Sequence, residues 1–436
     1  MSWNGPGNQE GSRSNLVKPT VAASPRVFRA RWVWTGGHTL LRDAELIVEG
    51  GIIREIGTSR TSALQSAEVI NLPNALLMPG LVNAHTHLWL SRADAASAAG
   101  KPFVEWIGTV RERAAIDLRD AASLADSARY GLAQCARFGI TCVGDITAFC
   151  PTLRPVLRDS GIRCVSFGEA LGLGGARDRF EKQLNEAIDP TWESARLRIG
   201  LQPHSPYTVE ADGLSRCLQM SQNAQIPLSV HLAEVPEEVE FTTRHRGPLR
   251  ELWEALGSWR DGIPCPGLRP IEYAEQIGLL RHPTVLAHVN ECSDAELKML
   301  AAGRASVVHC PRTHSYFGRN PHPWRRMLER GINVAVGTDS CASSPDLNLM
   351  ADARELRRLN PDFPAHQLLE MITIRAARAL GWDKEIGRLA SGFRADLVAF
   401  PVESDDPLEE VLRRPVLPVG CWIDGLKHPC ATVDTV

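Results

Sequence analysis

The sequence predicts an α/β protein: a closed (β/α)8 barrel of the TIM type, joined to a small β-sandwich assembled from both ends of the chain. Three observations predict it. The middle of the chain alternates short apolar runs with amphipathic stretches, the pattern of βα units stacked around a parallel sheet. Both ends carry β-favouring runs broken by glycine-rich turns. Histidines and an aspartate sit where the apolar runs end, the edge at which barrel proteins place their chemistry.

Taken in order, residues 1–20 ("MSWNGPGNQEGSRSNLVKPT") are polar, rich in Gly, Ser and Asn, and lack an apolar core. They read as a disordered tail without a secretion signal. "RVFRARWVW" and "AELIVEGGIIREIG" then read as hairpin strands, and "IGRLASGFRADLVAFPV" and "VGCWIDG" repeat that texture near the other end. The sandwich is assigned to residues 21–75 and 387–436, and the barrel to 76–386. The expected barrel strands are Leu76–Asn83, Thr141–Asp145, Cys164–Phe167, Leu197–Gln202, Pro227–His231, Thr284–His288, Ser306–His309 and Asn333–Gly337. Helices are expected over 120–138, 293–303 and 324–331, the last two closed by a glycine. A doubly wound open sheet is the other arrangement these units allow.

Of 436 residues, 44% are hydrophobic and 23% charged, an ordinary globular composition. A net charge of −3 provides no footprint for nucleic acid or an anionic membrane. No apolar run approaches the roughly 20 residues that span a bilayer. The 11 cysteines form no Cys-x-x-Cys pair and suit reduced, buried thiols in a cytoplasmic protein. Cys310 and Cys341 flank candidate site residues but read as packing residues.

In "LMPGLVNAHTHLWL", His85 and His87 are two apart, so an extended strand presents both imidazoles to one side. Further strand ends supply Asp145, Glu169, His204, His231, His288, His309 and Asp339. His85, His87, His231 and Asp339 would give one ion three neutral nitrogens and one carboxylate. Such a set suits Zn²⁺, or Fe²⁺, and disfavours Mg²⁺ and Ca²⁺, which prefer oxygen.

The segments "MPGLVNAHTHL", "PHSPYTV", "HLAE", "AHVN", "HCPRTH" and "GTDS", with both sandwich halves, resemble those of the amidohydrolase superfamily over nearly the whole chain after the tail. Within it the sequence is similar to adenosylhomocysteine/methylthioadenosine deaminases, guanine deaminase and triazine hydrolases. The resemblance implies a single metal ion, because Lys18, Lys101, Lys182, Lys298, Lys384 and Lys427 all lie away from the strand end where two-metal relatives carry a carboxylated lysine. It also implies a proton-shuttling role for Glu234, three residues after His231, and substrate contacts from Glu105 and His204. Ser343, Arg177, Arg179 and Arg312 are further candidates for binding substrate.

The implied reaction is hydrolytic deamination of an aminated purine or purine nucleoside derivative. Asp339 and His288 would activate water, and Glu234 would protonate the ring nitrogen and the departing amine. Removal of chloride or an alkylamine, or opening of a cyclic amide, is the alternative; an inactive barrel serving as a binding protein is the remote one. The segment 232–283 is long for a βα connection and is expected to cover the site, bringing Arg244, His245 or Arg246 towards a carboxylate such as that of aminofutalosine. "AHVN" and "RTHSYF" depart from the usual family wording where substrate is read. The expected partner is a small-molecule substrate, and the resemblance is compatible with a homodimer.

Overall fold

A computed structural model describes residues 24–58 and 67–428, so the predicted disordered tail lies outside the described residues. Strands β1 (Arg26–Gly36), β2 (Thr39–Glu49) and β3 (Ile52–Gly57) form an antiparallel meander. Its turns pass through Gly36–Gly37 and Gly50–Gly51, all at positive φ. Strand β4 (Glu68–Pro79) returns to pair in parallel with β1.

The barrel begins after Gly80 with β5 (Leu81–Thr86). It continues through β6 (Ile140–Thr147), β7 (Arg163–Ala170) and β8 (Leu197–Pro203) to β9 (Ser229–Leu232), β10 (Val285–His288), β11 (Ser306–His309) and β12 (Asn333–Val336). Two parallel half-sheets, β5-β6-β7-β8 and β9-β10-β11-β12, account for these strands. Parallel bridges between Leu201 and Leu228, and between Thr86 and Asp339, join the halves at both seams. The sheet is therefore closed, and the open doubly wound alternative is excluded. Val82, Ile146, Val165, Phe167, Val308 and Ala335 fill its interior, so it is a packed core and not a pore.

Strands β13 (Leu397–Pro401), β14 (Gly420–Ile423) and β15 (Leu426–Lys427) extend the first sheet to the order β15-β14-β13-β4-β1-β2-β3. Both chain ends thus build one unit, and its hydrogen bonding is continuous: Ile53 N–H donates to the Phe393 carbonyl at 2.8 Å, bringing β3 round to the segment before β13. Phe28, Leu46, Ile53, Leu77, Leu397 and Trp422 are buried between its faces.

One strand boundary differs from expectation. The apolar run Leu76–Asn83 is two strands, β4 in the outer sheet and β5 in the barrel. Pro79 supplies no N–H to the ladder, and a Cβ on Gly80 would strike the Thr141 side chain at 2.3 Å, so the chain turns there. A continuous apolar stretch carries no mark of that change of sheet. The helices occupy Ala121–Arg137, Asp294–Ala302 and Trp324–Glu329, as expected. Gly331 closes its helix at φ +78, whereas Gly303 is extended and is needed because a Cβ would meet the Leu280 carbonyl at 2.5 Å.

Barrel and outer sheet are fastened by charge. The fully buried Arg163, opening β7, donates from Nε to Asp396 at 2.7 Å, from Nη2 to Asp396 at 3.1 Å, and to Asp424. Replacing Arg163 with methionine leaves two neighbouring carboxylates without their central cation. The expected cost is about 3–5 kcal/mol, read as a lowered urea midpoint. An unchanged midpoint would show that Arg196 and Arg394, which also pair with Asp424, hold the junction alone.

Candidate metal centre and active site

The site is built at the seam where β12 meets β5. Gly337 permits the approach, since a Cβ there would lie 2.7 Å from the His85 carbonyl. The N–H groups of Thr338 and Asp339 then both donate to that carbonyl at 3.1 Å. Asn83 ties the seam further by donating to Thr338 Oγ1 at 2.8 Å and accepting its N–H at 3.1 Å. Asp145, at the end of β6, accepts the N–H of Leu88 at 2.8 Å and so fixes the turn directly after His87.

The four residues expected to hold a metal come together. The ligand atoms of His85, His87 and His231 all lie within 4.8 Å of one another, with His87 Nε2 3.3 Å from His231 Nε2. Asp339 Oδ1 is 3.4 Å from His87 Nε2 and 3.7 Å from His85 Nε2. Donors about 2.0–2.2 Å from a single ion have roughly this mutual spacing. Both ring nitrogens of His85 are buried without a hydrogen-bond partner, a costly state that a bound cation relieves. His231 Nδ1 faces the His204 carbonyl at 3.0 Å; a carbonyl can only accept, so Nδ1 carries the proton and Nε2 keeps its lone pair for the shared point. The Gln202 amide nitrogen lies 3.0 Å from that Nδ1; with the amide turned, Oε1, otherwise buried without a partner, takes this place and accepts from the same N–H, steadying the ring. The residues present therefore fit a divalent metal ion.

Electrostatics agree. Burial, reinforced by neighbouring histidines, lowers His87 to about 3 and holds His231 well below its ordinary value. Burial alone would raise Asp339, but His85, His288 and His87 outweigh it and keep the carboxylate ionised. His288, Val289 and Asp339 have positive φ of 73°, 56° and 58°, a strained backbone concentrated at the rim. His322 Nε2 meets the His288 carbonyl at 2.8 Å and braces it.

Glu234 and His288 face each other, with Oε1 3.8 Å from Nε2. Both N–H groups at Ala233 and Glu234 donate to the Glu238 carboxylate, at 3.0 and 2.8 Å, so the turn carrying Glu234 is fixed from below. Burial pushes Glu234 up to about 8, against the pull of Arg319, and lowers His288 to about 3. His204 Nε2 is 3.9 Å from Glu169 Oε1, and its ring lies 4.7 Å from His231, so both residues line the site. Burial, with Asp145 nearby, raises Glu169 to about 7. Glu169 lies at the end of β7, the strand-end position for which the sequence singled it out.

Of the other expected substrate contacts, Ser343 joins this group through Asp339, whereas the arginines and Glu105 do not. Ser343 is buried and donates to Asp339 Oδ2 at 3.2 Å, so it orients the carboxylate. Arg312 is held by Asp346 at 2.6 Å and Asp352 at 2.9 Å, an internal anchor whose charge is already neutralised. Arg177 is paired with Glu210 and Asp212. Arg179 and Glu105 are exposed. The cysteine expectation holds: Cys310 and Cys341 are buried, and burial pushes the Cys341 thiol up to about 12, far from thiolate chemistry.

The segment 232–283 packs against the loops that follow β7 and β8. It forms helices Pro236–Arg244, Pro248–Ala255 and Pro270–Ile277. Trp253 Nε1 donates to the Tyr207 carbonyl at 2.7 Å, and Phe241, Leu249 and Trp253 pack with Phe103, Leu173 and Val235. Within it His245 packs at a tilt against Phe241 and edge-on against Trp259, while Arg244 and Arg246 are exposed.

A family model described as the amidohydrolase family matches residues 76–419. The chain belongs to the amidohydrolase family. As a relative, this amidohydrolase has a 5-methylthioadenosine/S-adenosylhomocysteine deaminase of Nitratidesulfovibrio vulgaris, 30% identical over 387 residues, or 84% of this chain and 81% of the relative. A protein of the same name from Saccharophagus degradans is 29% identical, covering 94% and 93%. Among solved structures, Helicobacter pylori aminofutalosine deaminase superposes with a TM-score of 0.80 at 21% identity, over 92% of this chain and 99% of that one. An adenosine deaminase of Xanthomonas campestris with bound zinc has a TM-score of 0.77 at 23% identity, over 92% of each chain. The structural matches show that the amidohydrolase fold is shared. No described helix of this amidohydrolase is long and apolar enough to cross a membrane.

Proposed function

We propose that this amidohydrolase is a metal-dependent deaminase that hydrolyses an amino group from an aminated purine or purine nucleoside derivative. The observation carrying the reading is Glu234: a buried carboxyl, set against the neutral His288, beside a histidine cluster suited to one metal ion. His85, His87, His231 and Asp339 would hold the ion, and their nitrogen-rich donor set favours zinc. Such an ion lowers the pKa of a water molecule to about 7.

The chain's own residues supply the remaining chemistry. Asp339, ionised by the imidazoles around it, and His288, neutral through burial, accept the proton of the attacking water. Glu234 keeps a proton until about pH 8 and can give it to a ring nitrogen as the adjacent amidine carbon becomes tetrahedral. Glu234 then takes the proton of the hydroxyl that the attack has placed on that carbon and passes it to the amine. The C–N bond breaks as the carbonyl forms, ammonia leaves, and the proton held at Asp339 or His288 returns to Glu234. The apolar cluster of Phe103, Tyr207, Phe241 and Trp253 would limit the entry of bulk water if it closes over the bound substrate.

The test is an ammonia-release screen on metal-analysed protein across adenosine, 5′-methylthioadenosine, S-adenosylhomocysteine, aminofutalosine and guanine. Release from at least one, with about one metal ion per chain, supports the reading. Failure on all of them, with release of chloride or an alkylamine from triazines, would replace deamination by the other hydrolysis.

A further inference from the structure

Arg319 combines two features that the other cations named at this mouth do not share: it lacks an acidic partner, and unlike the exposed Arg179, Arg244 and Arg246 it has a buried guanidinium nitrogen. The charges of Arg312 and Arg177 are matched by acidic partners. Arg319 has no side-chain hydrogen bond or ion pair among the described residues, and its Nη2 is buried with no partner. Its position is nevertheless well defined. The chain turns at Gly318 (φ +60), Arg319 N–H donates to the His314 carbonyl at 3.3 Å, and the guanidinium packs 4.9 Å from the Phe317 ring and 5.6 Å from that of Phe103. Those rings contact Trp106 at 5.2 and 5.7 Å, and Trp106 Nε1 donates to the carbonyl of Ala342, on the turn that follows Asp339.

The charge of Arg319 reaches the reaction centre, for it pulls Glu234 and Glu291 down and pushes His288 lower. Neither carboxylate forms an ion pair or a hydrogen bond with Arg319. A half-buried guanidinium with an unmade hydrogen bond is costly unless an anion completes it. The planar fork matches a carboxylate in a two-point contact, and the aromatic wall beneath it suits a flat or apolar group attached to that carboxylate.

We propose that Arg319 reads a carboxylate on the substrate, making this protein selective for aminated heteroaromatic compounds that also carry an acidic group. The inference rests on the deaminase reading and deepens it. It assigns specificity to the end of the "HCPRTHSYFGR" segment and not to Arg312 or the exposed arginines of segment 232–283.

Two measurements test it. In the first, kcat/KM is compared for S-adenosylhomocysteine or aminofutalosine, which carry a carboxylate, and for 5′-methylthioadenosine, which does not. Arg319→Met is expected to lower the ratio of acidic to neutral substrate by about 10- to 100-fold, through KM, with Arg319→Lys restoring part of it. An unchanged ratio overturns the inference. The second needs no turnover: benzoate is titrated calorimetrically into the native metal-loaded protein and the Arg319→Met variant. Binding weakened about tenfold or more by the substitution supports the carboxylate site. Equal affinity, or no binding to the native protein, overturns it. Should benzoate bind through Arg319 while no adenine derivative releases ammonia, the deaminase reading fails and the carboxylate site stands.

Discussion

Replacing His231 with alanine is expected to yield a folded protein that has lost its metal ion and, with it, turnover. The prediction follows from the way the site is shared. His85 and His87 come from one strand, but His231 arrives from the opposite half-sheet, across the seam where Leu201 meets Leu228. Without it, His87 Nε2 loses the neighbour at 3.3 Å and the donor set is reduced to His85, His87 and Asp339, which adjoin along the β5–β12 seam. Loss of outer partners of metal ligands costs about 10- to 100-fold in affinity, so loss of the ligand itself is expected to exceed about 100-fold. Gln202→Ala, which only frees the His231 ring, is expected to fall within that smaller range. Elemental analysis after dialysis, with circular dichroism as the check on folding, measures both. A His231→Ala protein that kept stoichiometric metal would remove this residue from the site.

Replacing Glu234 with glutamine is expected to lower kcat by about 10²- to 10⁴-fold while leaving metal content intact. Glutamine keeps the shape and the hydrogen-bonding capacity of the side chain but cannot give up and regain a proton. The native pH profile has a defined sign. Burial raises Glu234 to about 8, so the proton-donating form is present below that pH and is lost as pH rises through it. The rate is therefore expected to fall on the alkaline side near pH 8. A glutamine variant with native turnover would sink the proton relay, although the metal centre would survive.

Much of the site was legible in the sequence because barrel geometry converts strand ends into neighbours. His85, His87, His231, His288 and Asp339 each close a short apolar run or follow one directly, and all gather at one rim. Glu234 was picked out through the family resemblance, which places a glutamate three residues after His231; the structure adds that its turn is braced locally by Glu238, four residues on. The outlying contacts were not legible in the same way. Arg312 reads as a free cation until Asp346 and Asp352 fold against it, and Arg177 likewise until Glu210 and Asp212 do. Ser343 follows Asp339 closely enough to suggest a role, but only its orientation assigns it to Asp339 and not to substrate.

The sequence by itself determined the alternation of strand and helix, the chemical type of the metal ligands and the approximate strand ends. Those features depend on residue type and on spacing over a few positions. Tertiary structure decided where the first apolar run changes sheet, that the barrel closes at both seams, and that Arg319 keeps a buried nitrogen without a partner. Each depends on groups tens to hundreds of residues apart that meet only when the chain folds. Chemical type is carried by the residue itself, whereas charge compensation belongs to whatever packs beside it.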